Sequence, residues 1–180
     1  MARKKEKDGE DVTKFFAIQD IALWEASFNR VVEYNADEHD GKCSIQMFKS
    51  VNPEMMKVLV EGEEEDQYLL RVLVKLGARS VYQEADESEI EVLYSVEATF
   101  SIEYFVIRPP TKEMFAQFIQ YNSVHNAWPF WRQHVYDTLR RASLPILPIP
   151  FFPGKKPVRK KKITASVTLA PKPREEVSSA

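Results

Sequence analysis

Residues 89–107, EIEVLYSVEATFSIEYFVI, place an apolar side chain at every even position. Ile90, Val92, Tyr94, Val96, Ala98, Phe100, Ile102, Tyr104 and Val106 hold the even places, and Glu89, Glu91, Ser95, Glu97, Thr99, Ser101 and Glu103 most of the odd ones. A helix would scatter these side chains around its circumference, whereas a strand sends successive side chains to opposite faces. The stretch therefore predicts one long strand with a packed face and a wet face. An antiparallel sheet tolerates a wet face, and a parallel sheet rarely does.

Three further segments supply partners. KFFAIQDIALWEASF (14–28) reads as the first strand, MMKVLVEG (55–62) as the second and QYLLRVLVKLGARS (67–80) as the third. The third sets Tyr68, Leu70, Val72, Val74 and Leu76 on one side and Leu69, Arg71, Leu73 and Lys75 on the other, with the acidic turn EGEEEDQ before it. CSIQMFKSV (43–51) is the one part of an otherwise irregular 29–54 able to pair at an edge. After Arg108-Pro109-Pro110 the period changes. Thr111 caps a helix in which Met114, Phe115, Phe118, Ile119 and Tyr121 share a face. A pause is expected near Asn126, where Pro129 suits the first turn of a continuation. Val135, Tyr136, Leu139 and Leu144 carry the apolar stripe on, and Pro145 ends it. Strands followed by a long helix predict an α+β fold: a four-stranded antiparallel sheet with a long C-terminal helix packed on one face.

The 180 residues suit one domain. The net charge of −2 hides a division: residues 155–180 carry +6, residues 1–11 balance, and residues 12–154 carry −8. The expected organisation is a disordered N-terminus (1–11), a folded domain (12–154) and a disordered basic tail (155–180). No apolar run approaches the ~20 residues of a membrane span, and MARKKEKDGEDV lacks the apolar centre of a secretory signal. Cys43 is alone, so a reducing, cytoplasmic setting is expected. His39 sits in an acidic loop, DEHD, that reads as solvated. His125 and His134 match no zinc spacing. Nucleophile motifs, phosphate-binding glycine loops and cysteine–histidine pairs are missing, so neither catalysis, nor a metal, nor a cofactor is expected.

Two features remain. In KKPVRKKK, the cations Lys155, Lys156, Arg159, Lys160, Lys161 and Lys162 could neutralise phosphates, or could simply be a solvated tail. In NAWPFWRQHVYDTLRRASLPILPIPFF (126–152), Trp128, Phe130 and Trp131 precede a strip in which Pro145, Pro148, Pro150 and Pro153 alternate with Ile146, Leu147, Ile149, Phe151 and Phe152. The prolines withhold backbone donors and hold the chain extended, so the strip can wall a groove as well as cover a core.

The order of elements, with IQDIALWEASF, YLLRVLVKLGARS, VLYSVEATFSIEYFVI and above all WPFWRQHVYDTLRRASLPILPIPFF, resembles the SecB family of export chaperones over roughly residues 12–152. The resemblance implies a homotetramer, built as a dimer of dimers, that holds unfolded preproteins without ATP and passes them to the SecA motor. The client groove it implies would use Trp24, Trp128, Phe130, Leu144, Ile146, Leu147, Ile149, Phe151 and Phe152. The acidic motor-docking face would use Asp20 and Glu25, with Glu91 and Glu97 on the same exposed face of the fourth strand. The chain departs from the family in its basic tail and in NAWPFW, which is closer to SecB-like chaperones that protect the antitoxin of a toxin–antitoxin system. A nucleic-acid-binding role through the tail is the reading from a different class. The tail segment KKITASVTLAPKP alternates Ile163, Ala165, Val167 and Leu169, the pattern of a weak β-type client for the protein's own groove.

Overall fold

The computed structural model describes residues 11–58, 67–83 and 89–152. The acidic turn before the third strand, most of the N-terminal segment and the basic tail, including Lys155 to Lys162, lie outside the described residues. Four strands form one antiparallel sheet in the order β1-β4-β3-β2, with β1 Phe16–Arg30, β2 Cys43–Val58, β3 Gln67–Tyr82 and β4 Glu91–Val106. A 3-10 turn, Val12–Phe15, precedes β1 and is capped by Asp11, whose carboxylate accepts from the Thr13 amide at 3.0 Å. That cap delays the strand to Phe16.

The expected irregular stretch and short second strand are in fact one strand. β2 pairs with β3 without interruption from Cys43↔Tyr82 to Val58↔Gln67, passing through Pro53. Proline is tolerated because β2 is an edge strand, where a missing N–H facing outward costs no ladder bond. Only the short helix α1, Ala36–His39, interrupts the link from β1.

Against the sheet's packed face, helix α2 (Lys112–Gln117) is capped by Thr111 and runs through one π-helical turn (Phe118–Ser123) into α3 (Val124–Arg141). The expected pause near Asn126 does not occur, and Pro129 lies inside α3. A proline there costs roughly 3 kcal/mol. Burial of Val124, Ala127, Trp128 and Trp131 around it outweighs that cost. The core is the even face of β3 and β4 (Leu70, Val72, Val74, Leu76, Val96, Phe100, Ile102, Tyr104) against Phe118, Val124, Trp131, Val135 and Leu139.

α3 lies chiefly over β4 and β3. By register Ile18, Ile21, Leu23, Ala26 and Phe28 face the same side as Tyr104, Ile102, Phe100, Ala98 and Val96. Leu23 nevertheless remains 52% exposed, because α3 lies over β4 and β3 while Phe16, at the start of β1, is where that strand meets the helical region by stacking on Phe118.

Candidate functional site

The helix stops at Ser143, whose φ of 54° is left-handed, and Leu144 closes the end by donating its amide to Leu139 O at 3.0 Å. Arg30 reaches across from β1 and donates to Ala142 O at 2.6 Å. The following strip, 145–152, is held by its carbonyls, since Pro145, Pro148 and Pro150 have no N–H to give. Tyr94 Oη donates to Pro145 O at 3.0 Å, Arg132 Nε to Ile149 O at 3.3 Å and Trp128 Nε1 to Pro150 O at 2.9 Å. Within the strip, the Ile149 amide donates to Leu147 O at 2.8 Å. Extended backbone then sends alternate side chains to opposite sides. Leu144, Leu147 and Ile149 are buried, while Ile146 is exposed and Phe151 is 79% exposed beneath the Arg132 guanidinium, 4.3 Å from the ring centre.

The strip runs alongside the first half of β2 in the same direction and leaves space between them. A cavity of about 210 Å³ is bounded by Tyr34, Cys43, Ile45, Tyr94, Pro145 and Leu147. Further along, a cavity of about 280 Å³ is bounded by Met47, Phe48, Lys49, Trp128, Pro150 and Phe152. On the other flank of the strip, Pro129, Arg132, Tyr136, Ile146 and Pro148 border a third cleft of about 380 Å³. The first two form a mostly apolar groove with the open edge of β2 on one side and, on the other, a strip in which Pro145, Pro148 and Pro150 offer no backbone donor.

The sequence candidates divide over this geometry. Trp128 and Phe152 line the 280 Å³ cavity and Ile146 and Leu147 the 210 Å³ one. Leu144 is buried, Ile149 borders only the third cleft and Phe151 is exposed outside all three. Phe130 is 48% exposed against Phe100 of β4, ring centres 6.4 Å apart, and lines none of the three cavities. Trp24 stands apart from the groove. Register steps from Leu23↔Phe100 to Glu25↔Thr99, so Trp24 is an extra residue, and its ring lies 5.7 Å from Arg71 on the wet face. Met47 and Phe48 belong to the groove region and went unnoticed in sequence, although the alternation of 43–51 was the signal.

The wet face carries Asp20 opposite Glu103, Glu25 opposite Thr99 and Glu97 opposite Ser27 and Gly77. Glu91 does not join them. The register shift that takes Ser80↔Tyr94 to Val81↔Val92 turns Glu91 to the side of Tyr82, the packed side. Cations from β3 meet the acids: Lys75 Nζ lies 2.9 Å from Glu97, and Arg71 lies 2.8 Å from Glu103 and 3.9 Å from Glu54. The hydrogen bond and charge of Glu97 raise the Lys75 pKa above its ordinary value. Between them Phe48 lays its ring on Gly77, where an added Cβ would come within 2.1 Å of Phe48 Cε1.

His39 is not solvated. α1 folds it under Tyr34 and Tyr82, it is 3% exposed, and its Nδ1 accepts from the Asn35 amide at 3.0 Å. Tyr34, hydrogen-bonded to Asp40, has its pKa pushed up to about 12, first by that bond and then by burial. Among the described residues no group of three or more His, Cys, Asp or Glu could hold a metal ion, and no helix is long and apolar enough to cross a membrane.

A four-stranded sheet in this order, a long helix across one face and a proline strip at the helix exit define the SecB-like fold. Among solved structures, the chain is similar to the Mycobacterium tuberculosis Rv1957 SecB-like chaperone in complex with a ChAD peptide from the Rv1956 HigA1 antitoxin. The TM-score is 0.55 at 14% sequence identity, covering 80% of this chain and 95% of that one. No protein-family model and no curated protein matches the sequence. The likeness is one of fold.

Proposed function

We propose that the protein is an ATP-independent chaperone that holds unfolded or extended apolar segments of other proteins. The observation that carries this reading is the groove between the open edge of β2 and the proline strip. An extended client can pair its main chain with β2 and set alternate side chains into the 280 Å³ and 210 Å³ cavities. Each 100 Å² of apolar surface removed from water contributes roughly 2.5 kcal/mol, whatever the sequence that supplies it. Such binding needs no cofactor and no chemistry, and release needs only competition. Hydrogen exchange with and without an unfolded model protein tests it. Protection should gather at residues 43–49 and 145–152, and protection confined to the wet face would overturn the groove.

Two destinations follow for the client. Delivery of preproteins to SecA would use Asp20, Glu25 and Glu97 as a docking face. Protection of an antitoxin is favoured by the pairing of Glu97 and Glu103 with Lys75 and Arg71, which removes much of that face's negative charge. The fold's likeness to a chaperone solved with an antitoxin peptide supports the same reading. A neighbouring toxin–antitoxin gene pair, with loss of antitoxin solubility when the protein is absent, would decide for it. Assembly as a dimer of dimers is supported by the uncovered apolar side of β1, and light scattering after size exclusion measures it. The setting proposed is the cytoplasm.

A further inference from the structure

The chain leaves the described fold at Phe152, on the wall of the 280 Å³ cavity. The Phe152 ring is seated against Tyr121, His125 and Trp128, with centres 5.1, 5.4 and 5.4 Å away, so the exit is anchored at the groove's mouth. Beyond it lie residues 153–180, whose first half is basic and whose segment Ile163–Leu169, ITASVTL, alternates apolar and hydroxyl side chains. From Phe152 to Ile163 the chain can span roughly 35 Å. The stretch of β2 from Lys49 back to Cys43 needs about 20 Å.

We propose that residues 163–169 of the protein's own tail occupy the groove, running antiparallel to β2 from the Lys49 end towards Cys43. Ile163, Val167 and their neighbours at alternate positions face the cavities, and Thr164, Ser166 and Thr168 face water. This part of β2 has neither proline nor lysine before Lys49, whereas Pro53 and Lys57 blunt the rest of the edge. Charge favours the same arrangement, since residues 155–180 carry +6 and residues 12–154 carry −8. Tethering places the segment at an effective concentration in the millimolar range, enough for a weak strand to compete with a dilute client. The tail is then a built-in competitor that shields the groove until a stronger client displaces it. The inference rests on the groove reading above, but not on the identity of the client.

Hydrogen exchange on the full chain tests it without any client. In Val167→Asp/Leu169→Asp, amides of residues 43–49 should exchange on the order of tenfold faster than in the unaltered chain. In Ser166→Asp they should be unchanged, with β3 and β4 as the internal reference. Equal exchange at 43–49 in all three proteins would overturn the proposal, as would equal acceleration by Ser166→Asp. Protection that rises with protein concentration would also overturn it, because the occupant would be another copy's tail. A separate aggregation assay reads the chaperone function. If no variant suppresses aggregation, the proposed function fails while the exchange result still judges the tail.

Discussion

Trp128→Phe isolates the bond that fastens the end of the proline strip. Trp128 is 9% exposed, stands edge-on to Phe152 and donates Nε1–H to Pro150 O at 2.9 Å. Phenylalanine keeps an aromatic ring for Phe152 but removes the donor. A hydrogen bond of this kind contributes about 1 kcal/mol net. The lost ring area, on the order of 40 Å², contributes about 1 kcal/mol more. Pro150 is exposed, so water can reach its carbonyl and the total is expected at about 1–2 kcal/mol. At roughly 2–4 °C per kcal/mol for a chain this long, Tm should fall by about 2–8 °C. Exchange at Leu147, Ile149, Phe151 and Phe152 should accelerate more than exchange at β3, because the strip detaches before the sheet opens. Calorimetry and hydrogen exchange read the two quantities. Unchanged Tm together with unchanged exchange at 147–152 would refute the argument that the indole holds the strip.

Other substitutions separate stability from binding. Ile146→Asp and Phe151→Asp, at exposed positions of the strip, should alter stability by less than about 0.5 kcal/mol and yet weaken suppression of aggregation several-fold. Leu139→Ala, fully buried between α3 and the sheet, should cost about 2–5 kcal/mol by urea denaturation. Burial pushes the Tyr104 hydroxyl up to about 12 from the usual 10, partly offset by its bond from Asn126. Its folded pKa lies above the unfolded one, so the contribution is full below about pH 10 and is lost between pH 10 and 12. Tyr104→Phe should flatten the fall in stability across that window, as denaturation at stepped pH would show.

Much of this architecture was legible because one period ruled each element. The alternation of β4 named its packed face at nearly every position, and the apolar residues of β3 did the same. Thr111 and Pro145 marked the ends of the helical region. What escaped were the places where a long-range partner overrides a local rule. Pro53 stays in a strand because its neighbour on that side is solvent, which only the sheet order reveals. Pro129 stays in a helix because the buried residues around it hold the turn in place. Glu91 changed face through a single-residue register shift, and no pattern in one strand can announce a slip against another. Among the groove residues, the strip was visible as a proline-locked extended segment. Its opposite wall, Met47 to Lys49, was not, because the groove exists only once β2 lies beside the strip.

The most direct measurement is light scattering by a chemically unfolded model protein diluted into this one without ATP. Suppression of aggregation at about one oligomer per client, lost in Ile146→Asp/Phe151→Asp while the fold persists, is the result expected. Aggregation that proceeds unchanged at several-fold excess of the protein would contradict the chaperone reading.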